Sequence, residues 1–441
     1  MSKVYNRMNL KAPGNWINDP NGFIYYGGKY HLFYQYFPYG PFWGTMHWGH
    51  AVSDDLINWE HLGIALFPTK DYDRNGVFSG SALEVDGKMY LYYTGVVYES
   101  ENPENIHLAA GEKGRQCQVL LISENGFGFD NFRAKQQIIP VMTDTDLADP
   151  ADCRDPKVWK QGDTYYMCLA STHGKKNGVL LLFQSMDAVH WTYLSRLESD
   201  RLGYLLECPD LFEADGRWML LSCPMGISQE GISYPNQAML QPMSFEPESG
   251  AIGFEGEGRY LDYGFDLYAP QSNIDEDGRR VFVAWVRMQT PMKAESNPAS
   301  AGKEWNGMMT LPRTLEIRNG EVVTAPHPNI RKYFMSERCM SVSDGKTVMR
   351  CDESNCQIIT TISEGQWIDI SGYRVGMENG RIVGDRSGLV PDGIEIHKRS
   401  ETPYVGESCE LEIYMDADLI EIFVDGGKYV LSHVTYRNAS V

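Results

Sequence analysis

The stretch PNGFIYYGGKYHLFYQY, residues 20–36, holds an apolar strand, a Gly-Gly turn and a second, aromatic strand. A short glycine turn between two such segments is the strongest local signal for a β-hairpin, because tight hairpin turns need the positive φ that glycine tolerates. The pattern returns in SGSALEVDGKMYLYYTG (79–95), DPKVWKQGDTYYMCLAS (155–171), CPDLFEADGRWMLLSCP (208–224) and APQSNIDEDGRRVFVAWVR (269–287). The turn glycines are Gly28, Gly87, Gly162, Gly216 and Gly278, spaced 59, 75, 54 and 62 residues apart. Two units are followed by a polar turn ending on tryptophan, SDDLINW (53–59) and SMDAVHW (185–191). Such hairpins, each with enough following chain for outer strands, predict an all-β protein whose residues 1–318 form a five-bladed β-propeller. An irregular array of β-sandwiches is the alternative arrangement of the same strands.

After the fifth unit, GKEWNGMMTLPRTLEIR (302–318) reads as a closing strand. Residues 319–334, including the proline-bearing APHPNIRKYF (325–334), read as a linker or connecting helix. From 335 to 441 the pattern changes to plain strands, QIITTIS, CELEIYM and LIEIFVDGGKYVLSHVTY, which predict a smaller C-terminal β-sandwich.

The formal charge of −20 over 441 residues disfavours nucleic acid and anionic membrane surfaces as partners and fits a small neutral substrate. Aromatic side chains recurring between glycine turns suit either a sugar-stacking surface or core packing. The first residues lack a secretion-signal core and no apolar run is long enough to span a bilayer, which points to the cytoplasm. The nine cysteines, odd in number and without a C-x-x-C pair, are expected to be reduced thiols, with Cys153 and Cys208 as small packing residues. No motif speaks to oligomeric state.

The repeat also organises the polar residues. Asp19 stands nine positions before its turn glycine, Asp155 seven, Glu207 nine, Ser79 eight and Tyr268 ten. Innermost propeller strands line a central channel, so these positions are expected to converge on one pocket. Phosphate loops and nucleophile elbows are missing from the sequence, and His47 and His50 lack a third ligand nearby, so they are read as structural rather than as a zinc site. No metal or organic cofactor is expected. Carboxylates without metal in an aromatic cleft are the equipment of glycoside hydrolysis, in which a separation of about 5–5.5 Å means retention and a longer one inversion. Turn capping is the alternative for any single Asp. Asp19, between Asn18 and Pro20-Asn21, is expected to stay ionised, as is Asp155 beside Arg154; Glu207, in the apolar GYLLECPDLF, is expected to hold a proton.

At these residues the chain resembles glycoside hydrolase family 32, the invertases and fructan hydrolases. The resemblance is carried by WINDPNG (16–22), FYQYFP (33–38), WGTMHWGHAVSDDLINWEHLGIAL (43–66), FSGSA (78–82), RDP (154–156), ECPD (207–210), YAPQ (268–271), LPR (311–313) and DADLIEIFVDGG (416–427). It implies a retaining double displacement on β-fructofuranosides, with Asp19 as nucleophile, Glu207 as acid/base and Asp155 holding fructose hydroxyls. It further implies sugar contacts from Trp16, Asn18, Gln35, Trp43, Phe78, Ser79, Arg154, Tyr268 and Trp285. Two features depart from the family: Ala284 precedes Trp285 where many members have glycine, and the C-terminal domain is short. The polar segment 98–116 is placed on the leaving-group side. The expected substrate is sucrose or a short fructooligosaccharide, with sucrose 6-phosphate as a variant. Lys113, Arg115, Lys175 and Lys176 lie in loops suited to a phosphate, and equally suited to solvated surface charge. An exo-fructan hydrolase or fructosyltransferase is the alternative within the reaction class, and a non-catalytic carbohydrate-binding protein the alternative outside it.

Overall fold

The structure, a computed structural model, describes residues 6–440 except 113, 229–231 and 319. All five hairpins form. Their inner strands are Asn15–Tyr26, Gly76–Val85, Cys153–Gln161, Leu205–Ala214 and Leu267–Ile274. Each pairs antiparallel with the next strand across its turn glycine, and φ at the five glycines lies between 59° and 82°. Each hairpin heads a sheet of four to six strands within residues 6–326. The polar SDD and SMD turns are built alike. Asp55 Oδ1 accepts from the N–H groups of Ile57 and Asn58, and Asp187 Oδ1 from those of Val189 and His190.

Side chains of the inner strands join the five sheets into a closed ring. Asn21 Oδ1 accepts from Gly80 N–H, and Ser81 Oγ donates to the Pro156 carbonyl. Lys157 Nζ lies 3.1 Å from Asp210, whose other contact is the Ser272 N–H. Gln271 Oε1 accepts from Phe23 N–H, returning to the first sheet. Aliphatic and aromatic residues fill the space between successive sheets, as with Leu181, Leu169 and Tyr92 between the second and third.

Residues 302–318 differ from the single closing strand that the sequence suggests. Trp305–Asn306 adds in parallel to Asn15–Trp16 of the first sheet, whereas Met308–Met309 and Arg313–Arg318 pair with the fifth. The chain turns between sheets at Gly307, where a Cβ would lie 1.9 Å from the Ile17 carbonyl oxygen. Glu321–Pro326, within the segment read as linker, pairs along Arg313–Arg318 as the outer strand of the fifth sheet. The helix Pro328–Phe334 follows.

Beyond it stand a six-stranded and a four-stranded antiparallel sheet. They share one apolar core that includes Ile362, Val375, Met377, Leu411, Ile413 and Ile422. Buried ion pairs bind this part to the ring. Arg313 lies between Asp262 and Glu421, Arg386 against Asp266, and Lys11 2.6 Å from both Asp416 and Asp418. The expectation of uniformly reduced thiols is corrected here: Cys351 and Cys356, opposite each other across a hairpin, form a disulfide. The other seven cysteines are free. Among the described residues no helix is long and apolar enough to cross a membrane.

Candidate active site

A bulge interrupts each inner strand at the same end. Pairing skips between Ile17 and Pro20, Val77 and Gly80, Arg154 and Lys157, Glu207 and Asp210, and Tyr268 and Gln271. Bulges re-aim side chains and are common beside active sites. In the last three strands the residue after the paired one has positive φ, 63° at Asp155, 49° at Cys208 and 48° at Ala269, and a proline follows. Only over-determined structure holds non-glycine residues there. This alignment corrects the equivalence inferred from distance to the turn glycine: Glu207 corresponds to Arg154 and Tyr268, and Asp155 to Cys208.

The bulges aim polar side chains into one cavity of about 610 Å³. It is lined by Asn18, Asp19, Gln35, Trp43, Phe78, Ser79, Arg154, Asp155, Glu207, Tyr268 and Trp285. Trp16 does not line it; its ring packs edge-on against Trp285 at 5.7 Å, and its indole N–H donates to Asn18 Oδ1. Trp43 meets Phe78 edge-on at 5.7 Å, and Gln35 donates to the Val77 carbonyl.

Each acid is held differently. Asp19 accepts from Ser79 Oγ at 2.6 Å and from Asn18 Nδ2 at 3.1 Å, with Cys208 Sγ 3.6 Å away. Asp155 accepts from the Cys208 N–H at 2.8 Å, while its own N–H donates to Thr94 Oγ1. Glu207 lies between two donors, Arg154 Nη2 at 3.0 Å and Tyr268 OH at 2.7 Å. Arg154 continues to Asp152 at 2.6 Å, and Arg287 lies 4.7 Å from the centre of the Tyr268 ring.

The proton balance differs from the reading of the neighbours in sequence. Burial raises Asp19 above the usual carboxylate range, opposed by the Ser79 hydrogen bond and reinforced by the charge of Glu207. Asp155, expected to be held ionised by Arg154, is instead pushed up to about 7. Burial is the main cause, Arg154 opposes it, and Asp19 and Glu207 add to it. Glu207 sits not in an apolar wall but in the fork of Arg154 and Tyr268. Burial, with the charge of Glu207, raises the Tyr268 phenol far above its ordinary value and keeps it a donor.

Several lining residues escaped the sequence reading. Cys208, taken for packing, faces the cavity and Asp19, whereas Cys153 is buried in the core. Segment 98–116 does border the cavity, through Tyr98, Asn102, Leu108, Ala109, Gly114 and Gln116, and it carries a small hairpin of Glu101–Asn102 and Asn105–Ala109. Asp152 also lines it, pairing with Lys175; Arg115 faces Glu99 at 3.8 Å, and Lys113 lies outside the described residues. His50 hydrogen-bonds to His31 and stacks on Phe33, and no cluster of three metal-ligating side chains occurs among the described residues.

Residues 10–326 match the model of the glycosyl hydrolases family 32 N-terminal domain. The chain is 32% identical to a sucrose-6-phosphate hydrolase of Escherichia coli, over 98% of this chain and 89% of that protein. It is 30% identical to a raffinose invertase of Escherichia coli, over 99% and 90%. The solved structure of a family 32 beta-fructofuranosidase from Bombyx mori superposes with a TM-score of 0.77 at 28% identity, covering 99% of this chain and 90% of that one. An extended family match and a bulge-built carboxylate pocket agree: the chain belongs to glycoside hydrolase family 32 and is a glycoside hydrolase of the invertase type.

Proposed function

We propose that the protein is a retaining β-fructofuranosidase that releases terminal fructose from sucrose and short fructooligosaccharides, with sucrose 6-phosphate as a variant substrate. The five sheets are read as the blades of a β-propeller (residues 1–318, with 321–326 as outer strand) and the C-terminal pair as a β-sandwich (335–441). The closed ring of inter-sheet hydrogen bonds supports this reading.

One observation carries the mechanism: three carboxylates from three sheets line one cavity, each with its own set of donors. Asp19, held by Ser79 and Asn18, attacks the anomeric carbon. Glu207 protonates the leaving oxygen and then draws the proton from water, in the double displacement that a carboxylate nucleophile makes possible. Asp155 accepts hydrogen bonds from furanose hydroxyls, which strengthen as charge develops on the ring. Trp43, Phe78 and Trp285 offer apolar faces to the sugar, with Trp16 backing Trp285. Segment 98–116 meets the leaving group.

A cytoplasmic location is part of the proposal; the seven free cysteines support it and the Cys351–Cys356 bridge weighs against it. The test is fructose release from sucrose, kestose, inulin and levan by the parent, Asp19→Ala and Glu207→Gln. The proposal requires sucrose or kestose to lead, both variants to be inactive on them, and azide to speed turnover by Glu207→Ala of a fructosyl donor whose leaving group needs no protonation. A strong preference for the polymers would make the protein an exo-fructan hydrolase instead. Binding without turnover by the parent would make it a carbohydrate-binding protein.

A further inference from the structure

We propose that Asp152 is a positioning residue for proton delivery: it holds Arg154 by the nitrogen that does not face Glu207, shares the guanidinium charge, and so lets Glu207 act as a proton donor. The proposal rests on the reading of Glu207 as acid/base.

Four charged groups form a row from the rim of the cavity to its acid. Arg154 Nη2 donates to Glu207 Oε1 at 3.0 Å, and Nη1 to Asp152 Oδ1 at 2.6 Å, so the shorter bond is the one turned away from the acid. Gln116 Oε1, 3.4 Å from Nη1, stands beside that bond and also accepts the Cys153 N–H. The other carboxylate oxygen of Asp152, Oδ2, meets Lys175. Asp152 thus bridges a buried cation and an exposed one: the Arg154 side chain is 11% exposed and that of Lys175 53%. The backbone of Asp152 is fixed just ahead of the third inner strand. Its N–H donates to the Asp149 carbonyl at 3.2 Å, and its own carbonyl accepts from Ser171 Oγ at 2.5 Å. Asp152 lines the cavity together with Asn102, Gly114 and Gln116, where the leaving group is proposed to sit.

The chemistry calls for such a group. A carboxyl beside an unshared guanidinium gives up its proton readily, which does not suit a donor. In the first step Glu207 must pass a proton to the leaving oxygen while the bond from that oxygen to the anomeric carbon breaks. In the second its carboxylate takes a proton from the attacking water. A second carboxylate on Arg154 offsets part of the positive charge and holds the guanidinium with Nη2 toward Glu207. Lys175 competes with Arg154 for Asp152, so the charge felt at Glu207 is adjusted from the rim. The other groups in play are Tyr268, which donates to Glu207, Asp19 and Asp155 across the cavity, Cys208 near Arg154, and Asp149, 3.7 Å from Lys175.

The test is kcat/KM across pH on sucrose and on fructosyl fluoride, whose leaving group needs no protonation. The variants are Asp152→Asn, Asp152→Glu and Lys175→Met, beside Glu207→Ala, with Tm measured for each. Asp152→Asn keeps an acceptor for Arg154 and removes the charge. Its basic limb on sucrose should lie about one pH unit below that of the parent, so that kcat/KM above the limb falls about ten-fold. On fructosyl fluoride the loss should be several-fold smaller. Asp152→Glu restores the charge and should recover most of the parent limb. Lys175→Met leaves Asp152 to Arg154 and should move the limb the other way, by a smaller step because solvent screens an exposed lysine. If Asp152→Asn lowers Tm, the position of the limb still decides, since only folded enzyme turns over. An unmoved limb in Asp152→Asn, equal losses on both donors, or a limb displaced the same way by Asp152→Asn and Lys175→Met would overturn the inference. Turnover of sucrose by Glu207→Ala at the parent rate would instead overturn the reading of the acid/base.

Discussion

Two clusters of buried charge sit at opposite tasks in this molecule. At the joint between the ring and the C-terminal sheets, three buried cations grip carboxylates directly. Arg313 is fixed by Asp262 and Glu421, Arg386 by Asp266, and Lys11 by Asp416 and Asp418. In the cavity, Asp19 and Asp155 take their hydrogen bonds from neutral donors, Ser79, Asn18 and the Cys208 backbone, while the nearest guanidinium, Arg154, is committed to Glu207 and Asp152. Burial of charge is common to both, but in the cavity Arg154 pairs with Glu207 and Asp152 and leaves Asp19 and Asp155 to neutral donors. The joint holds its geometry by opposite charges, and breaking one leaves an uncompensated ion. The cavity instead raises both aspartates above their ordinary range, Asp155 to about 7, as burial without a committed cation does.

The largest expected effect lies in the cavity. Asp19→Ala should lower kcat by about 10⁴-fold or more while the thermal transition stays near that of the parent, since the side chain lost is the one proposed as nucleophile. A single-turnover assay beside calorimetry checks both halves. Next comes the joint. Arg313→Met strands Asp262 and Glu421 and should cost about 3–5 kcal/mol of stability, read by chemical denaturation, while the enzyme that remains folded keeps its kcat. Loss of activity in step with folded fraction, and no further, is the outcome that sustains the contrast.

A smaller effect reports the proton balance. Asp155 is raised to about 7 in the folded chain against an ordinary value of 3.8. The folded state therefore binds more protons than the unfolded state between about pH 4 and 7, and this group's contribution to stability falls as pH rises through that window. Asp155→Asn removes the penalty of ionisation. Its Tm should exceed that of the parent at pH 8 by about 2 °C or more and match it near pH 4. A gain that is equal at both pH values would contradict the raised pKa. Smallest of all is an exposed pair. Lys88→Ala, which breaks the surface contact with Glu124, should leave Tm and kcat unchanged within error, because solvent already screens it.

Local chemistry made much of this legible in the sequence. The turn glycines announce the hairpins because backbone conformation selects for them, and the Asp-Pro and Cys-Pro pairs fall at the strand bulges because proline cannot continue a ladder. What stayed hidden is long-range or one residue deep. Neither the contact of Cys208 with Asp19, 189 residues apart in sequence, nor that of Arg154 with Glu207, 53 apart, leaves a periodic trace. Counting from the turn glycine cannot see a bulge, so it aligned Glu207 with the aspartates rather than with Arg154. The Cys351–Cys356 disulfide depends on register across a hairpin, and Glu321–Pro326 resembles a linker until its partner strand is known.

The account turns on Asp19 carrying the fructosyl group between the two chemical steps. Glu207→Ala incubated with a fructosyl donor that has a good leaving group should accumulate a covalent intermediate, because the second step lacks its base. Peptide mass spectrometry is predicted to place one anhydrofructosyl unit on the peptide containing Asp19. The same unit found on the Asp155 peptide, or released fructose with inverted anomeric configuration and no adduct, would contradict it.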